Sequence, residues 1–485
     1  MDVLIENYQI IFSNLLWINI ILGIILVFFE RRNPTSTWLW LMVLTFLPGI
    51  GFILYLFLGQ DLSKQRMFKV KEIDDDCFRD LAVEQKEAIQ NNEFHHKDPN
   101  FSNYEEMVKM FLMNSEAFFT QDNDVELYFN GEDKFKALLE SIKKAEKYIY
   151  IQYYIFKNDG IGTEILNALI EKAKEGLEVK LLVDGMGGRN LSKKSLEPLK
   201  EAGGEVAIFF PALVPFVSIR INYRNHRKIC VFDGKEAYVG GFNVGDEYLG
   251  KSKKFGYWQD THMKVKGSAV GSLQWRFHLD WRFASKQDLD GCQSFLTESE
   301  GSNDIGMQIV TSGPDSKWPN IKDGYLKMIT NAKDKVYIMT PYFIPDDSIL
   351  EALRVAGLSG VDVRVMIPNK PDHIFVYWAS LSYIGELLPA GVKFYTYEKG
   401  FLHSKVVISD DFISSVGTAN LDIRSFELNF EVNAFIYDEK VNIELTEKFF
   451  EDLLDCREIT EKIYSNRSRI VKIKESISRL LSPIL

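Results

Sequence analysis

The stretch NHRKICVFD, residues 225–233, places His226, Lys228 and Asp233 in the pattern H-x-K-x4-D. A second copy, LHSKVVISD at 402–410, places His403, Lys405 and Asp410 in the same pattern. In an extended chain residues i and i+2 point to one face, so each His projects beside its Lys, with Val/Ile-rich residues continuing a strand behind them. An imidazole beside a fixed cation suits chemistry on a phosphate: one group attacks or moves a proton while the other holds the oxygens.

Working outward, the two copies sit at matching points of an internal repeat. The first half has a buried-strand pattern, YIYIQYYIF at 148–156, a helical pattern over 162–175 stopped by Gly176, and a second strand at 179–183. The later half has VYIMTPYFI at 336–344, a helix over 349–358 stopped by Gly360, and a strand at 361–367. Residues 196–202 with Gly203-Gly204 match 387–390 with Gly391. Downstream of the motifs come Gly240-Gly241-Phe242-Asn243 and Gly417-Thr418-Ala419-Asn420, then strand-borne acids, Asp260 and Glu431, and aromatic-rich helical segments at 273–283 and 445–454. Strands alternating with helices predict an α/β chain whose sheet carries helices on both faces in each half.

If the halves pack about a pseudo-twofold axis, the two His/Lys pairs share one cleft. One imidazole attacks a phosphodiester phosphorus; the other protonates the departing alkoxide and then deprotonates the incoming hydroxyl. Lys228 and Lys405 hold the growing equatorial charge, and Asn243 and Asn420 add neutral hydrogen bonds. Asp260 and Glu431 bond the far ring nitrogen of each His and fix its tautomer. Asp233 and Asp410 complete the catalytic motif. They lie beyond the strand, where an Asp bonds turn backbone, so they support the site rather than move protons. This chemistry requires no metal and no cofactor. Of the other histidines, His95 and His96 fall in a polar stretch, His262 and His278 read as packing residues, and His373 opens a segment that suits a substrate gate.

The chain is 485 residues long, more than one ordinary core accommodates. Its net charge of −11 argues against a nucleic-acid partner. The four cysteines, Cys77, Cys230, Cys292 and Cys456, are far apart and suggest neither a zinc site nor a disulfide framework. Residues 10–29 and 37–58 are uncharged runs, each long enough for a membrane helix, with Trp38, Trp40 and Tyr55 placed as interfacial anchors. Arg31 and Arg32 between the runs, against Lys64, Arg66, Lys69 and Lys71 after them, leave the sidedness open. The expected organisation is a transmembrane hairpin at 1–60, a charged linker with some helix at 61–115, a first domain at 116–295, a second at 296–456 and a basic amphipathic tail at 457–485. The tail suits either an anionic membrane or the protein's own surface.

The paired H-x-K-x4-D is the signature of the phospholipase D superfamily, which the chain resembles. Within it, the chain is similar to bacterial cardiolipin synthases over nearly its whole length. The hairpin 31–60, the site regions 225–250 and 402–410, DTHMKVKG at 260–267, GTANLDIRSFELNFEVN at 417–433 and the closing RLLSPIL carry that resemblance. It implies two phospholipase D-type α/β/α sandwich domains packed pseudo-twofold behind a two-helix transmembrane hairpin. It further implies a multi-pass protein of the bacterial plasma membrane that condenses two phosphatidylglycerol molecules into cardiolipin and glycerol. A membrane-bound phospholipase D hydrolase that releases phosphatidic acid is the alternative. Thr418 stands where many superfamily members have Ser. The apolar, Pro-interrupted run IFFPALVPFV at 208–217 fits a lip dipping into lipid, and Arg220, Arg224 and Arg424 fit anionic headgroups. An oligomer is compatible with the sequence.

Overall fold

The computed structural model describes residues 17–24, 27, 34–47, 49–51, 54–55, 76–91, 93–94, 96–98, 102–211, 223–287 and 301–482. The chain forms two units, Met1–Ile73 with Ala212–Tyr223, and Asp74–Pro211 with Arg224–Leu485.

The second unit is built on one sheet with 15 described strands. From the middle outward, its first half runs Thr120–Tyr128, His262–Lys266, Glu236–Gly240, Ile229–Phe232, Tyr148–Tyr153, Glu178–Asp184 and Glu205–Phe209. Its second half runs Ile305–Ser312, Glu431–Tyr437, Ile413–Gly417, Val406–Ser409, Lys335–Met339, Asp362–Pro368 and Lys393–Tyr397. The orders match over seven strands, the last three of each seven being parallel, and a fifteenth strand, Cys456–Glu458, adds an antiparallel edge to the second half. The two halves meet through antiparallel pairing of their equivalent first strands, Asn123 opposite Ile305, as a twofold axis through the sheet demands. Parallel neighbours need crossovers. Gly160–Lys174 supplies one: Asp159 caps its start by accepting from Gly162 N, and Gly176, at φ 92°, turns the chain back toward the sheet.

Both faces of the sheet are covered. Ile149, Ile151 and Tyr153 join the core formed with Gly131–Lys144 and Gly160–Lys174, while Tyr150 on the opposite face stacks on Phe277 of Ala269–Ser285. In the second half Val336 and Ile338 meet Asn320–Asn331 and Asp347–Leu358, and Tyr337 stacks on Phe449 of Glu439–Leu453. Burial on both faces explains why these strands read as continuous apolar runs.

Some boundaries differ from the sequence reading. The expected linker 61–115 contains two helices, Asp76–Gln90 and Glu105–Ser115, that belong to the second half's core; Phe111 packs on Phe435 at 4.5 Å. Ala82 and Ile89 of the first and Met107, Val108, Phe111 and Leu112 of the second are buried, a face that charge content alone hides. The sheet also continues past 456, where Cys456–Glu458 pairs with Lys393–Tyr397. Residues 208–209, read as the start of a lip, belong to the edge strand, and Phe209 and Phe210 pack around Phe430. Residues 212–217 lie outside the described residues.

In the first unit residues 17–24 are helical and a second helix spans Pro34–Phe46. Leu44 and Tyr55 form a small cluster with Leu22 and Trp40, and Trp38, Leu39, Met42 and Phe46 are exposed. Among the described residues no helix is long and apolar enough to cross a membrane. The 13 residues of Pro34–Phe46 span about 20 Å, against a hydrocarbon core of about 30 Å. Both expected spans run partly over residues outside the described set.

Candidate active site

Ile229–Phe232 and Val406–Ser409 are four-residue strands buried throughout. His226 and Lys228 lie in the extended lead-in to the first, and His403 and Lys405 in the lead-in to the second. Each Lys Nζ turns back to donate to the backbone carbonyl of its own His, at 2.6 Å for Lys228. All four side chains are buried.

The two lead-ins cross between halves. His226 N donates to Phe430 O at 2.9 Å, Phe430 N donates to Arg224 O at 2.8 Å, and His403 N donates to Gln259 O at 2.7 Å. Gly400–Leu402 pairs in parallel with Tyr257–Gln259. The chain before each His thus lies beside the chain before the other half's acid. His226 Nδ1 sits 2.9 Å from Glu431 Oε2, and His403 Nδ1 sits 2.6 Å from Asp260 Oδ2. Each acid contacts a His ring, and the His it contacts comes from the opposite half. With Nδ1 facing the carboxylate in each pair, Nε2 is the nitrogen left for chemistry.

Burial sets the electrostatics. It pushes His403 down to about 4, with Lys405 adding to the effect and Asp260 opposing it. Burial also lowers His226, against the pull of Glu431. Lys228 falls to about 7 and Lys405 to about 8, again through burial. Burial would raise Glu431, but His226 and Lys228 outweigh it and hold the carboxylate ionised. Each Lys lies within electrostatic reach of the other half's His. The four groups therefore form one cluster around which a phosphate anion would find cations and neutral imidazoles.

The family model described as "Cardiolipin synthase, PLD-like domain" matches residues 138–255 and 325–453, one half of the repeat each. The model described as "Phospholipase_D-nuclease N-terminal" matches 16–60. The major cardiolipin synthase of Bacillus subtilis (strain 168) is 50% identical over 478 residues, covering 98% of this chain and 99% of its own. A cardiolipin synthase of Staphylococcus aureus (strain N315) is 49% identical over 476 residues, covering 98% and 96%. The chain belongs to the cardiolipin synthase family of phospholipase D-like proteins. A solved phosphatidylserine synthase of Haemophilus influenzae Rd KW20 shares the fold, with a TM-score of 0.59 at 15% identity over 74% of this chain and 95% of its own.

The remaining expected residues of this cardiolipin synthase family member fall into three groups. Asp233 and Asp410 do not reach the cluster. Each sits at positive φ after its strand, about 16 Å along the chain from its Lys. Asp233 accepts from the backbone N–H of Glu146, Lys147 and Tyr148, and Asp410 from those of Lys333, Asp334 and Lys335. Their lone pairs hold the turn before each half's first parallel strand, so they brace the motif and take no direct part in the cluster. Asn243 and Asn420 are buried near the site. Asn243 Oδ1 accepts from Ile155 N, and Asn420 Nδ2 donates to Asp422. Arg220 lies outside the described residues. Arg224, Arg424 and Arg189 lie within electrostatic reach of Tyr154, whose ring is 5.1 Å from that of His226.

Several residues escaped the sequence reading. Tyr154 was absorbed into a strand pattern, although its place just past the strand end pointed to the cleft. Trp258, on the strand Tyr257–Gln259, lies 5.2 Å from His403. Arg227, between His and Lys of the first motif, is fully buried; it pairs with Asp280 at 2.7 Å and donates to the backbone of Glu431. It thereby ties the first motif to the opposite acid, and removing one partner of such a pair costs about 3–5 kcal/mol. His262 and His278 are buried and held neutral by burial, as packing residues are. His373 precedes the helix Ile374–Leu387 on the surface, and His95 lies outside the described residues.

Proposed function

We propose that the chain is a cardiolipin synthase that transfers a phosphatidyl group from one phosphatidylglycerol to another. The observation that carries the reading is the crossed arrangement, in which two imidazoles, two lysines and two acids from both halves make one site. The near full-length identity to cardiolipin synthases supports the substrate class. In the first step His226 Nε2 bonds to phosphorus, the P–O bond to glycerol breaks, and His403 gives the departing alkoxide its proton. In the second, a glycerol hydroxyl of the next phosphatidylglycerol gives its proton to His403 and bonds to phosphorus as the P–N bond breaks. Lys228 and Lys405, with Asn243 and Asn420, hold the equatorial oxygens. Asp260 and Glu431 keep each Nδ1 protonated. Both imidazoles are neutral at rest, so His403 takes a proton from solvent water on Nε2 as the anionic phosphate enters beside it, and that is the proton it gives to the alkoxide. Arg224 and Arg424 suit the second headgroup.

The lipids place the site at a bilayer. Residues 1–60 suit two membrane spans in the bacterial plasma membrane, supported by the match at 16–60 and by the exposed apolar residues of Pro34–Phe46. Purified full-length protein given phosphatidylglycerol is expected to release cardiolipin and glycerol. Phosphatidic acid as the main product would overturn the reading in favour of a hydrolase using the same residues with water.

A further inference from the structure

The helix Arg469–Leu480, RIVKIKESISRL, is amphipathic but sits the wrong way round for a soluble surface. Its buried residues are Glu475 and Ser478, and its aliphatic residues face outward: Ile470 is 66% exposed, Ile473 58%, Ile477 53% and Leu480 81%. At 3.6 residues per turn these four fall within about 80° of arc, opposite the buried face. The inversion is fixed by contacts. Glu475 pairs with Arg467 at 2.8 Å, Arg467 lies over the Tyr464 ring, and Tyr464 Oη donates to Leu381 O. Arg479 pairs with Glu386 and covers Tyr383, and Lys474 lies over Trp378. The helix is thus bolted to Ile374–Leu387 by its polar side. Among the described residues the aliphatic stripe stays exposed.

Charge says what the stripe faces. Arg469 and Lys472 flank it on one side and Lys474 on the other, all exposed. Residues 457–485 carry seven Lys/Arg and three Glu in a chain of net charge −11. A second copy would set these cations against their own equivalents. An anionic bilayer would take the aliphatics into its acyl boundary while the Lys and Arg side chains reach the headgroups. We infer that Arg469–Leu480 is a docking surface for anionic lipid. The pairing of Lys474 with Trp378 and of Arg479 with Tyr383 makes the two helices parallel and brings Ile470 level with Ile374. Ile374 and Phe375 are exposed too, and they follow Asp372, which accepts from Tyr342 Oη and lies within electrostatic reach of Lys405. The lipid-facing strip therefore leads toward the second half-site.

The test places a photoreactive benzophenone amino acid at Ile473, and separately at Ile477, in the full-length protein. The protein is reconstituted in phosphatidylcholine vesicles with or without about 30% phosphatidylglycerol. Mass spectrometry after irradiation is expected to find lipid adducts at both positions, severalfold more with phosphatidylglycerol present. Crosslinks to a second copy, absence of lipid adducts, or equal yields in both vesicles would each overturn the inference. No activity is read, so the outcome is independent of the reaction proposed above.

Discussion

The two half-sites share a backbone frame and differ in what lines it. Around His226 the neighbours are Tyr154 and the guanidinium groups within electrostatic reach of it, Arg224, Arg424 and Arg189. Around His403 they are aromatic, Trp258 at 5.2 Å and Phe401 at 6.1 Å. The acids are set differently as well. Glu431 is longer and accepts from Thr418 Oγ1 at 2.6 Å. Asp260 is shorter, and the position equivalent to Thr418 is Gly241, where a Cβ would come within 1.9 Å of Asp260 Oδ1. Even the residue between His and Lys differs: Arg227 reaches a buried Asp280, whereas Ser404 accepts from Thr261 Oγ1. A duplicated frame thus supplies the chemistry twice, and the lining distinguishes a cationic side, suited to phosphate, from an aromatic side. This is the physical basis for giving the two imidazoles different tasks.

The strongest way to break that comparison is to remove either imidazole. His226→Ala and His403→Ala should each lower cardiolipin formation by at least about 10³-fold, and the double variant should be no worse than the lower single, because the two act as a unit. Additive losses would mean two independent sites. The crossing itself is tested by Glu431→Gln and Asp260→Asn, each expected to cost about 10²-fold or more. In ¹⁵N spectra of labelled histidine, Glu431→Gln should move the His226 signals and leave those of His403 in place, with the reverse for Asp260→Asn. Movement of the same-half histidine would refute the exchange of acids.

A smaller effect sharpens the asymmetry. Gly241→Ala should displace Asp260 and lower kcat about 10²-fold, whereas Thr418→Ala, which deletes one hydrogen bond to a charged group, should cost about tenfold. Equal losses would show that the two acids are held alike. Smallest on activity are Asp233→Ala and Asp410→Ala. Each removes acceptors from three backbone N–H groups, so it should destabilise the protein by about 1–3 kcal/mol in thermal unfolding while kcat stays within about twofold. A collapse of kcat with an unchanged melting temperature would restore these residues to the chemistry.

Much of this was legible in the sequence because it is local. The repeat, the strand patterns at 148–156 and 336–344, the glycine stops and the two His/Lys pairs all depend on residues close in the chain. The exchange of acids was not, because it rests on pairing Gly400–Leu402 with Tyr257–Gln259, segments 143 residues apart whose sequences carry no mark of each other. The helix Ile374–Leu387 was missed for another reason: IFVYWASLSYIGEL is apolar almost throughout, so no helical period stands out. Asp233 and Asp410 complete the motif, and their place just beyond the strand is itself the local mark of a turn brace.

The account's central claim is that one site, shared by both halves, carries a phosphatidyl group on His226 and passes protons through His403. The most direct measurement uses the His403→Ala protein with a phosphatidyl substrate bearing an activated leaving group, which departs without needing a proton. Peptide mass spectrometry under non-acidic conditions should then find the phosphatidyl adduct on His226, stalled because nothing deprotonates the acceptor. An adduct elsewhere, or none while the leaving group is released in stoichiometric burst, would contradict the account.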